Sequence, residues 1–224
     1  MKKIVNNRAS GFSLVELLLA MTLILVLMGL ATTLLGRSVS VRARESRKTD
    51  ALTSAQAAIG VMSREITNSG FGVFQGSSTR AAGNGLVLAD CSGQRVHLRT
   101  NIDNYGDRSV PSGSTVLSTN VPGEDVTYFF DSTTNSIVRY DPNANPHTSV
   151  VVNRISNVTF EYVDFAAGSS VAAAPASTPT GSTGLIRITV TVALEAVFGQ
   201  PSNQSVTFTS DVSLRNSNYM LSQY

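Results

Sequence analysis

The chain contains no tryptophan and a single cysteine, Cys91, and each scarcity excludes something. One cysteine cannot close an intrachain disulfide, so the fold must be held by burial and hydrogen bonding. A buried free thiol is the expected role of Cys91, with an intermolecular disulfide as the sharper alternative. Histidine is almost as rare: His97 and His147 lie far apart and no Cys or His cluster accompanies them, so no metal and no cofactor is expected. There is no Gly-x-Ser-x-Gly elbow, phosphate-binding glycine loop or paired-His motif. A membrane-tethered hydrolase could share the layout described below, but no catalytic constellation supports it, and the expected reading is not an enzyme.

Charge is also scarce, at 14% of residues, and it is scarcest where that matters most. From Phe12 to Leu35 there is no Lys, Arg, Asp, Asn, Gln or Pro. As a helix this run spans roughly 36 Å at 1.5 Å per residue, long enough to cross a bilayer. Its only charge is Glu16. An ionisable group in hydrocarbon costs on the order of 3 kcal/mol, so it asks for a partner or a purpose.

The run follows a basic leader, Met1 to Gly11, carrying Lys2, Lys3 and Arg8 and no apolar segment of its own. In a conventional secretory signal the small-residue cleavage site follows the apolar segment. Here Gly11 precedes it, so cutting after Gly11 leaves the helix attached, with Phe12 as the new N-terminus. The inside-positive tendency places the leader in the cytoplasm and residues beyond about 37 on the far side. Loss of the leader takes the formal net charge from +2 to about −1, leaving 14 basic against 15 acidic side chains. Arg37, Arg42, Arg44, Arg47 and Lys48 form a local cluster just beyond the apolar run, diluted by Glu45 and Asp50, that is expected to stay in water beside lipid headgroups. Elsewhere no stripe of basic and aromatic residues points to nucleic acid.

The short basic leader, Gly11, and then Phe12-Ser13-Leu14-Val15-Glu16 opening an apolar helix resemble the N-terminus of type IV prepilins and the related pseudopilins. The resemblance implies that a prepilin peptidase cuts after Gly11 and methylates the amine of Phe12, and that Glu16 docks the subunit into a growing filament. The physics agrees: a cationic terminal amine can neutralise Glu16 of a neighbour, and in a low-dielectric bundle such a pair is much stronger than in water. Thr33 stands near the place where many major pilins carry a proline, with Gly29 and Gly36 as the nearest helix weakeners.

Farther along, Leu52, Ala55, Ile59, Met62 and Ile66 recur at helical spacing, which predicts a stalk helix with one apolar face packed on a sheet. The helix is expected to stop near Asn68-Ser69-Gly70, and Gly60 weakens it unless close packing requires a glycine there. Strand-like runs follow at Leu86 to Leu88, Arg95 to Arg99, Val126 to Phe130, Ile137 to Tyr140, Val150 to Val152, Val158 to Val163, Leu185 to Leu194 and Val206 to Leu214. The turn formers from Asp131 to Ser136 predict a hairpin. Ala166 to Gly184, rich in Ala, Ser, Thr, Pro and Gly, is expected to be an exposed, flexible loop. Asp103-Asn104-Tyr105-Gly106-Asp107 offers oxygen ligands at alternating positions, but lacks the closing Glu of a calcium loop and reads first as a solvated turn. Asp141-Pro142-Asn143-Ala144-Asn145-Pro146-His147 also reads as a turn.

The expected fold is therefore α+β and type IV pilin-like: a long N-terminal helix, transmembrane in its first half and amphipathic in its second, packed on an antiparallel β-sheet domain. The expected divisions are a leader (1–11), a transmembrane helix (12–36), a stalk helix (37–70) and a periplasmic or extracellular sheet domain (71–224) with its loop at 166–184. The stretch Arg64 to Gly72 and the terminal strand ending Val212-Ser213-Leu214-Arg215-Asn216 resemble PilW-type minor pilins and J-type pseudopilins of type II secretion. The first implies a minor subunit that primes or stabilises pilus assembly, within a complex of minor subunits at the tip. The second implies a secretion pseudopilus, and an adhesive or DNA-uptake tip module is a third possibility. The partners implied are other major and minor pilin subunits, the prepilin peptidase, an inner-membrane assembly platform and, before assembly, membrane lipid. The location implied is a single inner-membrane pass, then a pilus or pseudopilus.

Overall fold

The computed structural model describes residues 13–73, 83–102, 119–166, 169–194 and 204–223. Its contacts divide the chain into two compact units, Met1–Ser46 and Arg47–Tyr224. A 55-residue helix, α1 (Leu14–Asn68), contributes its first part to one unit and its second part to the other. Leu, Met and Ala favour helix, and no proline interrupts it. The hydroxyls of its apolar run bond to the helix's own backbone: Thr22 Oγ1 donates to the Leu19 carbonyl (2.9 Å), Thr32 Oγ1 to those of Met28 and Gly29 (3.0 Å each) and Thr33 Oγ1 to that of Leu30 (2.8 Å). In an apolar surrounding these bonds satisfy groups that would otherwise be stranded.

The helix stops as expected. Gly70 has φ +79°, the left-handed conformation that closes a helix, and the Phe71 N–H returns to the Asn68 carbonyl at 3.2 Å. Carbonyls orphaned at this end are capped from the far end of the chain: the Arg215 N–H donates to Thr67 O (3.3 Å) and Asn216 Nδ2 to Ser69 O (2.9 Å).

Among the described residues, seven strands form two antiparallel sheets. The first contains β1 (Arg95–Arg99), β2 (Asp125–Asp131), β3 (Ser136–Tyr140) and β4 (Thr148–Asn153), in that order. The second contains β5 (Ile155–Asp164), β6 (Thr183–Ala193) and β7 (Ser205–Ser213). The α+β reading holds, and β2 and β3 form the expected hairpin, with Phe130 opposite Ile137. Alternation sets the inner faces. Val158, Phe160 and Tyr162 of β5 and Ile186, Ile188 and Val190 of β6 are buried, with exposed or half-buried polar residues between them. They share one core with Val96, Leu98, Val126 and Tyr128 of the first sheet and with Ala55, Ala58, Met62 and Ile66 of α1.

Three expectations need correction. The apolar face of α1 centres on Ala55, Ala58, Met62 and Ile66; Ile59 packs against the same core from a half-buried position, and Leu52 is half-buried. Spacings of 3, 4 and 4 track the 3.6-residue turn as well as the expected set does, and the small Ala58 permits close approach. Leu86 to Leu88 is not a strand: Leu86 makes one isolated bridge to Leu98, and Leu88–Asp90 is a short 3₁₀ turn. Gly85 (φ +82°) turns the chain just before it, so pairing with β1 lasts only through Gly85 O and the Val87 N–H. The loop expected to run to Gly184 ends at Ser182, because Thr183 and Gly184 belong to β6. Asp164 pins that junction, accepting from the hydroxyls of Thr180 (2.7 Å) and Thr183 (2.6 Å). Ala172 and Ala176, although exposed, bridge back to Phe165 and Tyr162.

At Gly60 an added Cβ meets nothing within 4 Å, so close packing does not explain this glycine. Gly60→Ala is expected to stabilise the chain by up to about 1 kcal/mol, read as a higher urea midpoint in detergent micelles. An unchanged or lower midpoint would show that the site needs glycine for another reason.

Candidate assembly site

The first turn of α1 is built on Ser13, whose carbonyl accepts the Leu17 N–H at 3.1 Å. Glu16 lies in this turn, where an acid is favoured by the positive end of the helix dipole. Every residue from Ser13 to Val39 is exposed in the isolated chain, and the large aliphatic side chains are exposed on all sides of the helix, Leu14 at 74% and Leu25 at 67% among them. No soluble monomer sustains an apolar surface of that extent in water, so lipid or protein must cover it. Among the described residues this is the one helix long and apolar enough to cross a membrane. Glu16 is exposed in the isolated chain, so its carboxylate is open to a cation brought by a neighbouring molecule. Gly11 and Phe12, the predicted cleavage and methylation positions, lie outside the described residues, as does the 103–107 loop.

In the sheet unit, two polar clusters escaped sequence reasoning. In the first, Tyr128 Oη donates to Glu65 Oε2 (2.6 Å) and Arg139 Nε contacts both Glu65 oxygens (3.2 Å each). Arg139 also pairs with the buried Asp141 (3.2 Å), which accepts from the Gly123 N–H (2.7 Å). Burial first, and the Glu65 carboxylate second, hold the Tyr128 hydroxyl well above the usual tyrosine range, so it remains a donor. This network ties α1 to β2 and β3. In the second, His97 lies between two carboxylates, Nδ1 3.0 Å from Asp90 Oδ2 and Nε2 against Asp125 Oδ1, while Arg99 Nη2 lies 2.9 Å from Asp125 Oδ2. Neither cluster is visible in the sequence, because each depends on strand register across long separations, such as Arg99 opposite Asp125.

Cys91 is buried, with its Sγ accepting from the His97 N–H at 3.3 Å. Burial pushes its thiol up despite the hydrogen bond at His97, which keeps it an unreactive thiol. His147 is exposed, in the turn before β4. No group of three or more His, Cys, Asp or Glu among the described residues is placed to hold a metal ion.

The second cluster has a pH signature. Burial alone would raise Asp125, but the His97 hydrogen bond and charge, together with Arg99, outweigh it and hold the carboxyl below the ordinary range. A depressed folded pKa contributes stability that is present above the unfolded value, near 4, and is lost as pH falls through the folded one. The chain is therefore expected to lose stability below about pH 4, and Asp125→Asn to flatten that slope. Equal slopes in a pH 5 to 2 denaturation series would refute the assignment.

These features define an α+β protein of pilin-like architecture whose amino-terminal helix exposes apolar surface that something else must cover. Residues 6–32 match the family model described as the prokaryotic N-terminal methylation motif. This motif supports a type IV pilin or pseudopilin precursor, and it implies processing by prepilin peptidase and assembly with other pilin subunits. Such precursors are structural subunits, and the apolar helix fits a single-pass anchored pilin that enters a pilus. No curated protein and no solved structure matches the chain.

Proposed function

We propose that the chain is a minor type IV pilin that primes or stabilises pilus assembly within a tip complex of minor subunits. The observation that supports it best is the exposed apolar helix with Glu16 as its sole charge, inside the matched motif. Cleavage after Gly11 frees the Phe12 amine, which methylation leaves cationic, and Glu16 of an adjoining subunit neutralises it as the helices come together. The leader stays cytoplasmic and the sheet unit periplasmic until the subunit leaves the bilayer for the filament, drawn by the assembly platform. The residues act as a docking device, and the chemistry is performed on the chain by the peptidase.

A clean deletion, scored for surface pili by electron microscopy and for exported proteins in culture supernatants, tests this reading. Lost pili with normal export is the expected result. Normal pili with lost export would assign the chain to a type II secretion pseudopilus, and intact pili with lost attachment or DNA uptake would assign it to a tip binding module.

A further inference from the structure

The unbroken apolar run of α1 ends at Leu35; beyond it the exposed Val39 and Val41 are interspersed with polar residues, and the helix continues without a break into five cations, Arg37, Arg42, Arg44, Arg47 and Lys48, with Glu45 as the only carboxylate among them. We propose that Arg37, Arg42 and Arg44 form a binding collar for anionic phospholipid headgroups at this end of the span. The inference needs α1 to lie in a bilayer before assembly, and is independent of which filament the chain serves.

Leu14 to Leu35 covers about 33 Å of helix, close to the roughly 30 Å of hydrocarbon, so the interface falls at the end of the apolar run. Beyond Leu35, Arg37 lies about 3 Å farther along the axis, Arg42 about 10 Å and Arg44 about 13 Å, against a headgroup layer roughly 5–8 Å deep on each side. Helical side chains tilt toward the helix N-terminus, which here means toward the bilayer, a direction that favours headgroup contact for Arg37 and Arg42 and sets Arg44 at the outer edge of that layer. Their stems lie along the apolar boundary while the charged heads stay wet. At 100° per residue the three occupy two sides of the helix instead of lining one: Arg37 and Arg44 share a face, about 10 Å apart along the axis, and Arg42 faces away from both. That arrangement suits a surrounding layer of lipid better than a single acidic protein face. Guanidinium forks also match phosphate bidentately. The inside-positive tendency does not account for these cations, since Lys2, Lys3 and Arg8 already occupy the other flank.

The test reconstitutes the full chain into mixed bilayers and measures, by electron paramagnetic resonance, how strongly it retains spin-labelled phosphatidylglycerol relative to spin-labelled phosphatidylcholine. A preference of about fivefold or more for the anionic lipid is expected, the equivalent of one basic side chain near a charged surface, and it should weaken with salt. The variant R37Q/R42Q/R44Q is expected to fall below about twofold, while R37K/R42K/R44K keeps most of the preference because the charge remains. Motionally restricted lipid without headgroup preference in the wild type would overturn the collar and leave the bilayer-spanning reading intact. Absence of any restricted lipid would overturn both. Unchanged lipid preference in the glutamine variant, together with lost filament incorporation, would assign the cations to protein contact and overturn the proposal.

Discussion

Glu16→Ala is expected to remove this chain from filaments while leaving leader cleavage intact. On the proposed reading the peptidase acts at Gly11 and Phe12, four to five residues before Glu16 in the sequence, and does not use the docking carboxylate. Incorporation is different. In the proposed docking, Glu16 and the cationic amine of a neighbouring Phe12 are desolvated together inside a bundle of apolar helices. Removing one partner strands the other at a cost of about 3–5 kcal/mol, equivalent to about two to nearly four orders of magnitude in the assembly equilibrium. Glu16→Gln should fail nearly as badly, since it keeps the shape and loses the charge. Glu16→Asp should recover part of the function, being one methylene short of the same pair. The measurement is the ratio of this subunit in sheared filaments to mature subunit in the membrane. A normal ratio for Glu16→Ala would refute the docking role.

The second large effect is expected at Gly85→Ala. Gly85 has φ +82°, and a Cβ there would stand 2.0 Å from the Gly70 nitrogen, 2.3 Å from Ser69 Oγ and 2.6 Å from the Arg99 carbonyl. Two of these are backbone atoms that cannot rotate away. Left-handed strain alone costs about 1–3 kcal/mol, and relieving the overlap means separating the helix end from the edge of β1. That junction also carries Gly70 N–H to Arg99 O (2.9 Å), Arg99 N–H to Gly85 O (2.7 Å) and Ser69 Oγ to Asn84 O (2.9 Å). A loss of more than about 4 kcal/mol, in the exceptional range for one substitution, is therefore expected. It would appear as a collapsed urea midpoint of the full chain in micelles. A shift under about 1 kcal/mol would mean that the junction is softer than its contacts indicate.

The contrast between Gly85 and Gly60 shows what the sequence could and could not reveal. Gly60 reads correctly as a weak point inside a periodic helix, because helix propensity is local. Gly85 has no local signature of its importance, since its neighbours arrive from residues 69–70 and 99 through folding. The same division runs through the molecule. The extents of β1 and β3 and the β2–β3 hairpin were legible because Val96, Leu98, Ile137 and Val138 alternate or cluster between turn formers. The stop of α1 was legible at Gly70. The division into two sheets was not, because it depends on which edge strand meets which. Glu65, Tyr128, Arg139 and Asp141 share no local signature, because only the strand register and the packing of α1 bring them together. The candidate docking residue stands out most in the sequence, since Glu16 in an otherwise uncharged run is anomalous in composition before any fold is considered.

Mass spectrometry of this subunit recovered from sheared surface filaments tests the central claim most directly. The account predicts a chain that begins at Phe12 and carries one methyl group on its terminal amine. Recovery only of a chain beginning at Met1, or of one cut after the apolar helix so that Glu16 is missing, would contradict it.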